Sequence, residues 1–108
     1  MYLIRYNTLM YLIKQTETFS KWLLKLKDIQ AKVNIIRRID RLKSGNFGDH
    51  KGVGDSVSEL RITIGAGYRV YYTIKNDAIV ILLVGGDKST QSDDIIRAKQ
   101  LLREINNE

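Results

Sequence analysis

The sequence contains no cysteine and a single histidine, His50. The first absence removes any disulfide framework, any zinc–thiolate site and any thiol nucleophile. The second argues against a histidine-rich metal centre and against a two-histidine acid/base pair. No apolar run approaches the roughly 18–20 residues that a membrane span needs, so no membrane partner is expected. The opening nonapeptide, Met1 to Leu9, lacks the long apolar stretch and small-residue cleavage site of a signal peptide, which predicts a cytoplasmic protein. What is present is ordinary for a globular chain: 108 residues, 44% hydrophobic, 28% charged and 8% aromatic. That length supports one domain with one core, and the composition argues against disorder. Eighteen Lys and Arg against twelve Asp and Glu leave +6, so a polyanion is a reasonable partner. The charge is uneven: residues 1–51 hold eleven bases and four acids, residues 52–108 seven and eight.

Met1–Ile4 is echoed at Met10–Ile13, each followed by a base (Arg5, Lys14). The echo is too short for a structural repeat. It points instead to an alternative translation start at Met10, with residues 1–9 as an N-terminal extension and 10–108 as a single domain. Tyr11–Gln15 reads as a first strand. Phe19, Trp22, Leu23 and Leu26 follow helical spacing, with Thr18 available as cap. Asp28 breaks or caps before a second helix whose apolar stripe is Ile29, Val33, Ile36, Ile39 and Leu42, with Lys32, Arg37, Arg38 and Arg41 outward. Gly45 stops that helix, and Asn46–Val57, with three glycines, reads as a long loop. Ser58–Ile64 and Tyr68–Ile74 alternate as a hairpin around Gly65-Ala66-Gly67. Ala78–Val84, entered through an Asn76-Asp77 turn and ended by Gly85-Gly86, reads as a strand buried on both faces. A last helix begins at Ser92, with Asp93 and Asp94 in its first turn and Ile95, Ala98, Leu102 and Ile105 inward. The order β-α-α-β-β-β-α is an α+β domain with a mostly antiparallel sheet packed by helices.

A three-residue hairpin loop places Leu60, Ile62 and Ile64 opposite Tyr72, Val70 and Tyr68 on one apolar side. The other side then carries Glu59 opposite Thr73, Arg61 opposite Tyr71 and Thr63 opposite Arg69, with Arg61 and Arg69 diagonal neighbours. Two guanidinium groups beside a tyrosine on an open face suit a phosphate backbone and a stacked base. Surface pairing with Glu59 is the competing explanation. His50 and Lys51 form a second basic cluster; a loop histidine is most often solvated, but it can also move a proton near neutral pH. Gly52-x-Gly54 alone does not make a phosphate loop. At Gly85-Gly86-Asp87-Lys88-Ser89 a strand-to-helix turn explains the glycines as well as a site does. The basic helix face of Arg37, Arg38 and Arg41 is either an RNA surface or a solvated exterior.

Phe19-Ser20-Lys21-Trp22-Leu23, Arg38-Ile39-x-Arg41-Leu42, Gly45-Asn46-x-Gly48-Asp49-x-Lys51, Glu59-Leu60-Arg61-Ile62, Gly67-Tyr68-Arg69-Val70-Tyr71-Tyr72 and Gly85-Gly86-Asp87-Lys88-Ser89-x-Gln91 stand in this order. Together they resemble the RelE/ParE toxin superfamily, and within it the HigB-like, phage Gp49-like addiction module killer proteins. The likeness runs from about Met10 to the end of the chain. It implies a RelE-like microbial RNase fold and the toxin of a type II toxin–antitoxin system, with a cognate antitoxin that often carries a helix-turn-helix. RelE- and HigB-like members cut messenger RNA in the ribosomal A site by 2′-OH attack, giving a 2′,3′-cyclic phosphate with no metal or cofactor. ParE-like members share the fold and inhibit DNA gyrase instead; a non-catalytic binding module is the third alternative.

Carried over by the resemblance, Arg69 is the phosphate-binding arginine, Arg61 its partner on the preceding strand, and Lys88 a late charge-stabilising base. His50 and Lys51 are looser catalytic candidates, and Arg37, Arg38, Arg41 and Tyr71 are RNA-binding candidates. The chain departs from the RelE pattern at Glu59, where relatives carry lysine, and at Asp93-Asp94, where they carry a catalytic tyrosine. The general base and acid therefore stay open among His50, Lys51, Asp87, Asp93 and Asp94.

Overall fold

The computed structural model describes residues 10–108; the expected extension over residues 1–9 lies outside them. Its elements are β1 (Leu12–Gln15), α1 (Glu17–Lys25), α2 (Ile29–Leu42), β2 (His50–Gly54), β3 (Val57–Ile62), β4 (Tyr68–Lys75), β5 (Ile79–Asp87), a 3₁₀ turn (Lys88–Thr90) and α3 (Gln91–Asn106). They build one five-stranded sheet in the order β1-β5-β4-β3-β2, parallel only between β1 and β5. Phe19 of α1 and Ala31, Ile35 and Leu42 of α2 pack with Leu60, Ile62, Val70, Tyr72, Val80 and Leu82 on one face. Ala98 and Leu102 of α3 pack with Val57, Tyr71, Ile81, Leu83 and Val84 on the other. The α+β class and the mostly antiparallel sheet are as expected. Among the described residues no helix is long and apolar enough to cross a membrane.

One strand was not expected. The glycine-rich Asn46–Val57 segment is not a loop throughout, because β2 pairs antiparallel with β3 and Val53 packs into the core beneath α3. Gly54, Asp55 and Ser56 all take positive φ (97°, 54° and 64°), which gives the tight return a hairpin of this hand requires.

The helices correct two further expectations. Thr16, rather than Thr18, caps α1: its Oγ1 accepts from Phe19 N at 3.0 Å and donates to Leu83 O at 2.7 Å, tying the helix start to β5. Asp28 caps α2 as expected, accepting from Ala31 N at 3.0 Å. The buried stripe of α2, however, is Ala31, Ile35 and Leu42 with Ile39 beside them. Ile29, Val33 and Ile36 face solvent. Two apolar stripes compete on this helix, and the inward turn of Arg38, described below, goes with the Ala31–Ile35 side.

β5 continues through Gly85-Gly86 to Asp87 instead of ending there. These glycines admit the two helices: a Cβ at Gly85 would run into the Trp22 ring of α1, and one at Gly86 into Asp94 of α3. α3 starts at Gln91, one residue before the expected Ser92, and buries Ala98 and Leu102 as its spacing predicts. The β3–β4 register is shifted by two from the expected one: Leu60 pairs Val70, Arg61 pairs Arg69 and Ile62 pairs Tyr68. Ile64 N bonds Ile62 O (2.9 Å) and Gly67 N bonds Ile64 O (3.0 Å), so Thr63–Gly67 forms a five-residue loop. A shift of two keeps every side chain on its expected face but changes its partner.

Candidate active site

Arg61, Arg69 and Gly86 form one row across β3, β4 and β5; Lys51, Glu59, Tyr71 and Val84 form the next. Strand alternation puts both rows on the α3 side, since Leu60 and Val70 between them, and Tyr72 beyond, belong to the core under α1 and α2. Lys88 joins them from the 3₁₀ turn. Its Cγ and Cδ lie 3.0 Å from where a Gly67 Cβ would stand, so the glycine makes room for the lysine stem.

This face is not the open one expected. Arg69 is 9% exposed and Glu59 1%, with Glu59 Oε2 3.5 Å from Arg69 Nε and 3.3 Å from the Gln91 Nε2 that donates to it. Among the described residues, Glu59 Oε1, Arg69 Nε and the Tyr71 hydroxyl are buried with no hydrogen-bond partner. Such atoms are costly, and three at one place mark a functional candidate rather than ordinary packing. Burial foremost, then the charges of Glu59 and Asp94, push the Tyr71 hydroxyl well above the ordinary phenol range, so it stays protonated.

Arg61 is held differently. Its Nη2 and Nε donate to Asp49 Oδ1 at 2.8 and 3.1 Å, and its side chain is one-third exposed. Arg38 supports this pair from below: its guanidinium donates to Arg61 O (2.7 Å), Phe47 O (3.0 Å) and Asp49 O (3.1 Å). Burial, followed by repulsion from Arg41, pulls the Arg38 pKa below its ordinary value.

Of the predicted site residues, Arg61, Arg69, Lys51 and Lys88 share this face. His50 does not: it pairs opposite Leu60, its ring lies 5.6 Å from Phe47, and its Nδ1 is 2.8 Å from Gly48 O. Arg37 and Arg41 are exposed on α2 in the other layer, whereas Arg38 turns inward. Tyr71 is fully buried and offers no ring face to a base. Asp87 accepts from Ser89 N at 2.8 Å, and the bonds from Ser89 lower its pKa. Burial raises that of Asp94, whose Oδ2 takes the Thr90 hydroxyl, and Asp93 is exposed.

Residues 21–103 match the family model described as Phage derived protein Gp49-like (DUF891). The chain belongs to this family. A Haemophilus influenzae relative, described only as an uncharacterized protein, is 57% identical over 93 residues, covering 86% of this chain and 94% of its own. Among solved structures, the fold is shared with a mutant of the E. coli toxin RelE in the free state (TM-score 0.62, 15% identity, 82% of this chain and 97% of that one). It is also shared with a chain of the RelBE2 toxin–antitoxin complex of Mycobacterium tuberculosis (TM-score 0.59, 19% identity, 73% and 99%). The RelE-like fold and the Gp49-like branch expected from the motifs are thus both met.

In this Gp49-like chain, Gln91 and Asp49 are site members that the sequence left without a role, and Glu59, expected as a surface partner of the arginines, is instead buried beside Arg69. The strand pattern already put Glu59 on the arginine face. With the two-residue register shift it becomes the diagonal neighbour of Arg69 rather than the partner of Thr73.

Proposed function

We propose that this Gp49-like chain is the toxin of a toxin–antitoxin pair and acts as a ribosome-dependent endonuclease on messenger RNA. The observation that carries the reading is Arg61 directly opposite Arg69, with the buried Glu59 carboxylate 3.5 Å from Arg69 Nε. Cleavage needs a proton taken from a ribose 2′-OH, attack of that oxygen on the adjacent phosphorus, and departure of the 5′-oxygen with a proton. Arg61 and Arg69 hold the phosphate and stabilise the phosphorane charge. Glu59, only 1% exposed, positions Arg69 through their pair, and the 2′-OH proton passes to water at the exposed rim of the site. The exposed Lys51 and Lys88 neutralise flanking backbone charge. The sparse exposed chemistry fits an enzyme whose substrate is aligned by the ribosome. Solved relatives described as a toxin and as a toxin–antitoxin complex support an antitoxin partner.

The test is primer extension on a defined messenger RNA, with and without purified ribosomes, comparing wild type with Arg69→Ala. Ribosome-dependent A-site cuts that vanish in the variant are expected. Absence of cuts with folded, antitoxin-free protein would overturn the reading. One observation favours a second reading: Arg69 retains only 11% side-chain exposure, which would suit a gyrase inhibitor acting by protein contact. Inhibition of DNA supercoiling by the uncut-RNA protein would establish it.

A further inference from the structure

We infer that the solvent side of α1 and α2 is a docking surface for an acidic amphipathic helix of a protein partner. Leu24, Ile29, Val33 and Ile36 are 79%, 68%, 42% and 49% exposed. Ile29, Val33 and Ile36 fall at i, i+4 and i+7, one line along α2. Beside that line runs a groove of about 390 Å³ lined by Gln15, Ser20, Leu23, Leu24, Lys32 and Ile36. Ile36 also borders a second hollow of about 260 Å³ that reaches Asp40 and Lys43. From Ile29 to Lys43 the surface follows α2 for roughly 20 Å at 1.5 Å per residue, room for a partner helix of about four turns.

Charge selects the occupant. Residues 10–45 contain nine bases and three acids, whereas residues 46–108 contain eight and nine. All three acids are engaged: Glu17 with Lys21 (2.9 Å), Asp40 with Lys43 (3.3 Å), and Asp28 capping α2. Among the described residues, Lys14, Lys25, Lys27 and Arg37 have no carboxylate partner, and Lys32 Nζ donates only to Leu24 O at 3.2 Å. The positive surplus of the described chain therefore lies in the segment that carries its exposed aliphatic line, and Lys32, Arg37 and Lys43 line the two hollows beside it. RNA would use the charge but gain little from four aliphatic side chains, and a second copy of this chain would bring the same positive charge. A helix with leucine-type residues on one side and Glu or Asp on the other satisfies both features.

The groove lies on the layer opposite the Arg61–Arg69 row, so its occupant leaves that row uncovered. Assigning the occupant to an antitoxin rests on the toxin reading; the surface itself does not.

The probe is a labelled 20-residue peptide with leucines at i, i+3, i+4 and i+7 and glutamates elsewhere, read by fluorescence anisotropy. Its affinity should fall at least tenfold in Leu24→Glu/Ile36→Glu, severalfold in Lys32→Glu, and not at all in Arg69→Ala. Thermal melts of each variant separate lost binding from lost folding. Undiminished binding by a folded Leu24→Glu/Ile36→Glu protein would overturn the surface, and equal binding of the peptide with lysines for glutamates would overturn the charge argument. Single-stranded RNA binding that is lost in the same double variant, with no peptide binding, would also overturn it and give the surface to nucleic acid. Expression in cells reads the other question: peptide binding without growth arrest would remove the toxin reading and leave the docking surface standing.

Discussion

Beneath α1 and α2 the sheet buries Phe19, Ile35, Leu60, Val70 and Leu82, and the charged side chain that turns toward this layer, the half-buried Arg38, spends its donors on three carbonyl oxygens. On the α3 side the same sheet buries Glu59, Arg69 and Thr73 beside the unpaired Tyr71 hydroxyl. Thr73 is satisfied, donating to Ser56 O at 2.7 Å, so among the described residues the unmet buried side-chain groups gather where Glu59, Arg69 and Tyr71 meet Gln91. One face gains stability from apolar burial, while the other keeps charge out of water at a cost that packing alone would not select. A small domain can hold an expensive pair on one side of a sheet when the other side is well packed.

The largest effect tests the packed face. Phe19→Ala removes a fully buried ring from the start of α1 and should cost about 3–5 kcal/mol in urea unfolding. A loss under about 1 kcal/mol would mean that this face is not the stabilising one. The second test addresses the polar face. Glu59→Ala or Arg69→Ala alone should each cost about 3 kcal/mol, because each leaves a buried charge without its partner. The double variant Glu59→Leu/Arg69→Met should recover most of that stability while remaining unable to cleave. Retained cleavage in the double variant would remove the pair from the site.

Arg38→Ala comes next. It deletes donors to three carbonyl oxygens and should cost about 2 kcal/mol. Cleavage should fall about tenfold as the Asp49–Arg61 pair loses its support, and Arg38→Lys should not restore it, since one ammonium cannot span the same fork. Full activity in Arg38→Lys would show that only charge is needed. Tyr71→Phe is smaller: it removes a hydroxyl with no partner, so stability should hold within about 1 kcal/mol or rise. Because the raised Tyr71 pKa keeps the phenol neutral in the fold, wild-type stability should decline as pH climbs above the ordinary tyrosine value. That component of the alkaline decline should be absent in the Phe variant, and identical alkaline profiles would contradict the assigned burial.

Much of this comparison is legible in the sequence. Strict alternation in β3 and β4 already sorts Leu60, Ile62, Val70 and Tyr72 from Glu59, Arg61, Arg69 and Tyr71. Two-residue periodicity, however, does not distinguish registers two residues apart, and the five-residue loop is made by backbone bonds at Ile62, Ile64 and Gly67. The choice of stripe on α2 was illegible for a related reason. Ile29, Val33 and Ile36 are more hydrophobic than Ala31 and Arg38, yet Arg38 finds three carbonyl acceptors only when it faces inward. Gly85-Gly86 looked like a strand end because its reason is tertiary: the Trp22 ring and Asp94 approach from opposite sides. β2 was hidden because Val53 is its one apolar side chain among glycines and bases, too little for a strand pattern without the pairing that β3 supplies.

Asp94 gives the finest test of the polar face. Burial is the first cause raising its pKa, and the charges of Asp87 and Asp93 add to it against the Thr90 hydroxyl bond that lowers it. A carboxyl with a raised folded-state pKa contributes stability that is complete below its unfolded value and is lost as pH rises through the folded one. At neutral pH the ionised Asp94 is therefore a small burden on the fold. Asp94→Asn keeps an oxygen for Thr90 without the charge, so it should be slightly more stable than wild type at pH 7. That advantage should shrink as pH falls toward the ordinary carboxylate range, where wild-type Asp94 takes up its proton. A difference between the two proteins that stays constant across this range would mean that Asp94 is solvated like any surface acid, and that the polar face is confined to Glu59, Arg69, Tyr71 and Gln91.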